Sequence, residues 1–211
     1  EDLKLAVALV ARLRGPEGCP WDREQDHLTL RPYLIEEAYE VLDVLDEFDP
    51  KKNGGKFEEP TRAKIREELG DLLLQVLLHS QLADERGEFS MGNVARAMVE
   101  KLVTRHPHVF GDTKVSGSSQ VLDNWEVIKK KEKKEKGLLD GLPKNLPSLQ
   151  RAARIGEKAR GVGFDWPDWK GSLEKVDEEI GEVKEAIEGG KKDEIEHELG
   201  DLFFAICNLS R

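Results

Sequence analysis

Apolar residues recur along this chain at intervals of three and four, the spacing that gathers side chains on one face of a helix. Leu3, Leu5, Ala6, Leu9, Val10 and Leu13 set the pattern over residues 3–14, and Gly15-Pro16 closes it. Gly18-Cys19-Pro20-Trp21-Asp22 then predicts a turn followed by a buried aromatic, with Asp26 or Thr29 starting a short helix. A second long periodic run spans about 32–48, with Pro32 in the first turn, where proline is tolerated. After the loop signal Asp49-Pro50-Lys51-Lys52-Asn53-Gly54-Gly55, a third runs over about 61–86. Leu69, Leu72, Leu73, Val76 and Leu77 fill one of its faces, and Leu74, Leu78 and Leu82 another. A helix apolar on so many sides is buried on most of them, which predicts packing against a second subunit as well as its own chain, the alternative being ordinary packing inside a larger bundle.

Further helices are expected over about 90–105, capped by Ser90 and ended by His106-Pro107-His108, and over about 119–136. Residues 137–147 have the composition of a linker. A second cycle follows, with helices at about 148–160, 171–189 and 191–211. Gly163-Phe164-Asp165-Trp166 stands where the Pro20-Trp21-Asp22 turn stood. No stretch shows strand alternation. The expected fold is all-α, a tandem repeat of two helical domains: residues 1–136, a linker at 137–147, and residues 148–211. Because the chain starts at Glu1 and stops at Arg211 inside an apolar helical pattern, the second domain is expected to be truncated at its C-terminus.

Charge changes this picture in one place above all. Glu36, Glu37 and Glu40 interrupt the apolar run Leu34, Ile35, Ala38, Val41 and Leu42, and Glu67, Glu68 and Asp71 open the run that continues through Leu78. Glu37 and Glu40 share a helix face, as do Glu68 and Asp71. Carboxylates rarely sit in apolar company without compensation of their charge. Four converging oxygen ligands suit a hard divalent cation, Mg²⁺ best, with Mn²⁺ as a substitute. Glu36 and Glu67, beside the ligand positions, are candidates for a second cation or for the general base. The plain alternative for each is a solvated acidic face. The pattern recurs as Glu178, Glu179 and Glu182, then Glu198 and Asp201.

The net charge of −10 argues against a nucleic-acid polymer as partner but leaves room for a small phosphorylated molecule held through a metal. A triphosphate also needs fixed positive charge. Lys101 and Arg105 lie four apart on one helix, and Trp125 and Lys129 repeat the spacing on the next, where Trp125 offers a face for a base. Two cysteines, Cys19 and Cys207, make no disulfide framework and fit a reducing compartment. No apolar run reaches the roughly 20 residues of a membrane span, no signal peptide opens the chain, and a cytoplasmic location is expected. His106 and His108 lack the further ligands of a zinc site, and no glycine-rich phosphate loop is present.

The motifs Glu36-Glu37-x-x-Glu40 and Glu68-x-x-Asp71 resemble the signature of the MazG nucleoside triphosphate pyrophosphohydrolases. Gly18-Cys19-Pro20-Trp21-Asp22, Arg105-His106-Pro107-His108-Val109-Phe110 and Val162-Gly163-Phe164-Asp165-Trp166 add to the likeness, which covers essentially the whole chain. The resemblance implies Mg²⁺-dependent hydrolysis of nucleoside triphosphates between the α and β phosphates, giving monophosphate and pyrophosphate. It also implies an α-helical homodimer and a role in cleansing or regulating the nucleotide pool. It makes Glu37, Glu40, Glu68 and Asp71 the metal ligands of the first repeat, and Glu179, Glu182, Glu198 and Asp201 those of the second. Lys175 and Glu178 match substrate contacts, as does Lys129. The first repeat has its basic and aromatic residues downstream and is expected to be the better equipped, while Glu194 and His197 stand where the family can place a lysine and a glutamate. Two rival readings remain: a helical partner-binding protein, and a nucleotide-binding regulator with little turnover.

Overall fold

The structure, a computed structural model, describes residues 1–132 and 137–211, without the side chains at 123, 126 and 129–131. The described residues are helical throughout, with no strand among them: α1 (Asp2–Arg14), α2 (Pro20–Glu24), α3 (Arg31–Asp46), α4 (Thr61–Glu85), α5 (Met91–Arg105), α6 (Pro107–Phe110), α7 (Ser118–Glu132), α8 (Ser148–Arg160), α9 (Trp169–Gly189) and α10 (Lys192–Ser210). They fall into two compact units, Glu1–Gly117 and Ser118–Arg211.

In the first unit α4 is the spine, packing on α3, α1 and α5. Its apolar positions divide between two clusters. Val41 and Val44 of α3 meet Ile65 near the start of α4, with Phe57 and Leu72 against them. Leu77, Leu78 and Leu82, near its end, close on Val10 of α1 and on Leu30, which is fully buried. The pairings Val44 with Ile65 and Leu30 with Leu78 step in opposite directions along the two helices, so α3 and α4 form an antiparallel hairpin. Asn53, Gly54 and Gly55 make its turn with φ of 52°, 64° and 73°, a left-handed run that glycine tolerates at little cost. Leu69, Leu73 and Val76 of α4 stay exposed, as do Ile35, Tyr39 and Leu42 of α3.

Two local expectations are corrected. The turn at Gly18–Asp22 gives way to α2, because Pro20 at its first position fits the helical φ and needs no amide partner, and Trp21, expected to be buried, stands half exposed against Tyr33. No helix starts at Asp26 or Thr29 ahead of α3. Instead the Asp26 carboxylate accepts from the backbone N–H groups of Leu28 and Thr29, at 2.7 and 2.8 Å, and the Thr29 hydroxyl accepts from the Asp26 N–H. That turn delivers Leu30 to the core and the chain into α3.

Arg14, at the end of α1, is the polar clasp of this unit. Its guanidinium donates to both Glu85 oxygens at 2.9 Å, to the Gln25 carbonyl at 3.2 Å and to the Asp22 carbonyl. Only 6% of the side chain is exposed. Arg14→Met strands four acceptor atoms and is expected to cost about 2 kcal/mol in chemical denaturation at neutral pH. The hydrogen bond from Arg14, seconded by Gln81, holds the Glu85 carboxyl below its ordinary value of 4.5. A folded-state pKa below the unfolded one stabilises above about pH 4.5, and that contribution is lost as pH falls through the folded value. The gap between Arg14→Met and the unaltered protein should therefore narrow as pH drops below 4.5.

In the second unit α10 packs on α9 and α8. The Asp168 carboxylate caps α9 by accepting from the Lys170 N–H at 2.9 Å, and Gly190, at φ 70°, ends that helix and turns the chain into α10. Val176, Ala186, Ala205 and Cys207 are buried. Both cysteines are free thiols.

Candidate functional site

The antiparallel register that joins the two apolar clusters sets carboxylates against carboxylates between them. Glu37, Glu40 and Glu68 place ligand oxygens within 4.8 Å of one another. Asp71, one turn beyond Glu68, lies near enough to act on Glu37. Burial, then the Asp71 charge, then the hydrogen bond and charge of Glu40, push the Glu37 carboxyl above its ordinary value. Among the described residues none of these four is ion-paired with a basic side chain. Like charges gathered on a partly buried seam, with no ion pair to answer them among the described residues, favour a cation that answers all of them together.

The second unit repeats the arrangement from α9 and α10, where Glu179, Glu182 and Glu198 converge within 4.8 Å. Glu179 is only 4% exposed, and its Oε2 has no hydrogen-bond partner. The close approach of Glu179 is the main reason the Glu182 carboxyl is raised, ahead of burial. Here one cation is already present. The Lys175 ammonium lies 2.8 Å from Glu178 and 2.8 Å from Glu179, and these two bonds push its own pKa upward. Asp201 approaches His197, 3.7 Å away.

The remaining candidates are less tightly gathered. Glu36 and Glu67 are exposed on α3 and α4, outside the three-residue cluster. Lys101 is exposed on α5 and Arg105, half-buried, is its last residue. Trp125 is half-buried on α7. Lys129, further along α7, lies outside the residues whose side chains are described.

One polar contact in the first unit has no sequence signal at all. His27 and His79 bring their Nδ1 atoms to 2.9 Å with ring planes 2° apart and centroids 5.2 Å apart. That centroid separation is the Nδ1–Nδ1 distance plus the two ring radii, so the imidazoles lie in one plane, edge to edge. One Nδ1 carries the proton and the other accepts it. Burial, and then the neighbouring His27, hold His79 below its ordinary value. The pair ties the turn before α3 to α4.

All-carboxylate donor sets of this kind fit a hard divalent cation, and the buried, unpartnered Oε2 of Glu179 is the sort of atom such an ion satisfies. Among the described residues no helix is long and apolar enough to cross a membrane.

The profile of the MazG nucleotide pyrophosphohydrolase domain matches residues 25–110 and 170–211, segments that include both carboxylate clusters. The nucleoside triphosphate pyrophosphohydrolase/pyrophosphatase MazG of Thermotoga maritima is 47% identical over 207 residues, covering 97% of this chain and 74% of the relative. The nucleoside triphosphate pyrophosphohydrolase of Escherichia coli K12 is 43% identical, with 97% and 76% covered. That of Mycobacterium tuberculosis is 36% identical over 166 residues, 78% of this chain and 46% of the relative. With identity this high across nearly the full length, and the carboxylate pairs standing in both matched segments, the chain belongs to the MazG nucleotide pyrophosphohydrolase family.

Proposed function

We propose that this protein is an enzyme that hydrolyses nucleoside triphosphates to the monophosphate and pyrophosphate, with Mg²⁺ held by the α3–α4 carboxylates. The observation that carries the reading is the convergence of Glu37, Glu40 and Glu68 within 4.8 Å with no basic partner among the described residues. Glu37, Glu40, Glu68 and Asp71 would hold the cation in the first repeat, and Glu179, Glu182, Glu198 and Asp201 in the second. A divalent ion there supplies neutralisation of charge on the phosphate oxygens and lowers the pKa of water, with Mn²⁺ able to replace Mg²⁺.

The rest falls to the chain's own side chains. Water attacks one phosphorus of the α–β anhydride and the bridging P–O bond at that phosphorus breaks, so that nucleoside monophosphate and pyrophosphate are the products whichever of the two is attacked. Glu36 or Glu67, exposed beside the cluster, accepts the water's proton. Lys101 and Arg105 counter the phosphate charge in the first repeat. Lys175 and Glu178 serve the second. We take residues 1–136, 137–147 and 148–211 as first repeat, linker and second repeat. The protein works as a homodimer in the cytoplasm, and the exposed stripes Ile35-Tyr39-Leu42 and Leu69-Leu73-Val76 are the surfaces a second copy covers. Pyrophosphate release from a nucleoside triphosphate with Mg²⁺, lost in excess EDTA and restored by Mg²⁺, tests the reading. Release that ignores EDTA, or none at all, overturns it.

A further inference from the structure

The two carboxylate clusters differ in one residue with a large electrostatic consequence. Four positions before Glu179 on α9 stands Lys175, and four positions before Glu37 on α3 stands Tyr33. On a helix that spacing puts either side chain directly over the carboxylate. In the second unit the ammonium reaches Glu178 and Glu179 at 2.8 Å each. In the first, Tyr33 turns to Trp21 instead, edge to face with ring centroids 6.0 Å apart. The first cluster is thus left as bare like charge, and the second carries a covalently attached cation of its own.

We propose that Lys175 is a built-in counter-ion of the second cluster, so that divalent-cation binding there is an exchange in which the ammonium must leave Glu179. This inference rests on the metal reading above and adds an order of loading: the first cluster fills at lower cation concentration than the second. Its physical basis is the burial of Glu179. A carboxylate 4% exposed is costly to leave unpaired, so in the cation-free protein Lys175 compensates it. An incoming divalent ion gains the same carboxylate only after displacing that bond, and its apparent affinity falls by the strength of the displaced contact. Glu179 Oε2, buried and unpartnered, shows that the ammonium satisfies only one side of the group and leaves the other for the ion. Once displaced, the ammonium is released beside the cluster, free to meet an anion that arrives with the metal.

The test is a titration of the full chain with Mn²⁺ alone, read by the electron paramagnetic resonance of the free ion, so that no turnover enters the readout. In a Glu68→Gln background, where the second cluster is the intact one, Lys175→Met is expected to tighten Mn²⁺ binding by about tenfold. Lys175→Arg, which keeps a cation, should stay close to the parent. Binding no tighter in Lys175→Met than in the parent overturns the exchange. Should Lys175→Met fail to fold, Tyr33→Lys in a Glu198→Gln background decides the matter from the other side. Installing the ammonium at the first cluster should weaken Mn²⁺ binding there about tenfold, and unchanged binding overturns the proposal. The two levels separate cleanly. No saturable Mn²⁺ binding to the unaltered chain sinks the metal reading itself, whereas binding at both clusters that is indifferent to Lys175 sinks only the exchange.

Discussion

Glu68→Gln is expected to lower pyrophosphate release by on the order of 10²-fold while the protein remains folded. The amide keeps the size and planarity of the carboxylate, so packing along the α3–α4 seam is undisturbed. What it removes is one of three ligand oxygens within 4.8 Å of one another. It also removes a negative charge from a cluster whose members already raise the Glu37 carboxyl, so the cation-free protein loses no stability through electrostatics. Glu198→Gln, at the matching place in the second cluster, is expected to give the smaller loss, under about tenfold, because Lys175 competes for Glu179 there. Steady-state pyrophosphate release from the two variants, with circular dichroism to confirm folding, checks the pair. Equal losses, or a larger one from Glu198→Gln, would contradict the order of importance assigned to the repeats.

The largest expected effect on stability is at Leu30. Its side chain is fully buried, where the turn before α3 meets Val10 of α1 and Leu77, Leu78 and Leu82 of α4. Three elements converge on one side chain, and their backbones cannot collapse together to refill its volume. Leu30→Ala should therefore cost about 3 kcal/mol, toward the middle of the range for buried leucines. For a unit of this size that corresponds to a fall of roughly 10 °C in melting temperature. Leu28→Ala, two residues earlier at a side chain 69% exposed, should change the melting temperature by less than about 2 °C. Differential scanning calorimetry of the two variants makes the comparison, and similar shifts would show that the core is not centred where the structure puts it.

The long helices were legible in the sequence because each buries a wide apolar stripe, and a stripe at 3.6-residue spacing admits few other readings. For the same reason spacing alone puts the carboxylate pairs on single helix faces: Glu37 and Glu40 interrupt one stripe, Glu68 and Asp71 another. Where local polar chemistry overrides periodicity, the reading fell short. Pro20 starts α2 where a turn was expected, and Asp26 with Thr29 folds its own backbone into a turn where a helix was expected. Contacts between residues far apart in the chain left no trace in composition or spacing. Arg14 and Glu85 read as two more charges in a charge-rich chain, and His27 and His79 as two isolated histidines, yet each pair binds separate elements together. Lys175 drew notice only through a resemblance that made it a substrate contact. Its hold on a buried glutamate follows from the depth of Glu179, which spacing alone does not reveal.

Hydrolysis at the α–β anhydride of a nucleoside triphosphate, with Mg²⁺ to be held by the α3–α4 carboxylates, is the proposal on which the rest depends. Its most direct test is the identity and ratio of the products, separated by anion-exchange chromatography after incubation with Mg²⁺. Nucleoside monophosphate and pyrophosphate are expected in equal amounts, with no diphosphate at any time, and no turnover once the Mg²⁺ is chelated. Nucleoside diphosphate with orthophosphate would place the cleavage at the wrong bond and contradict it.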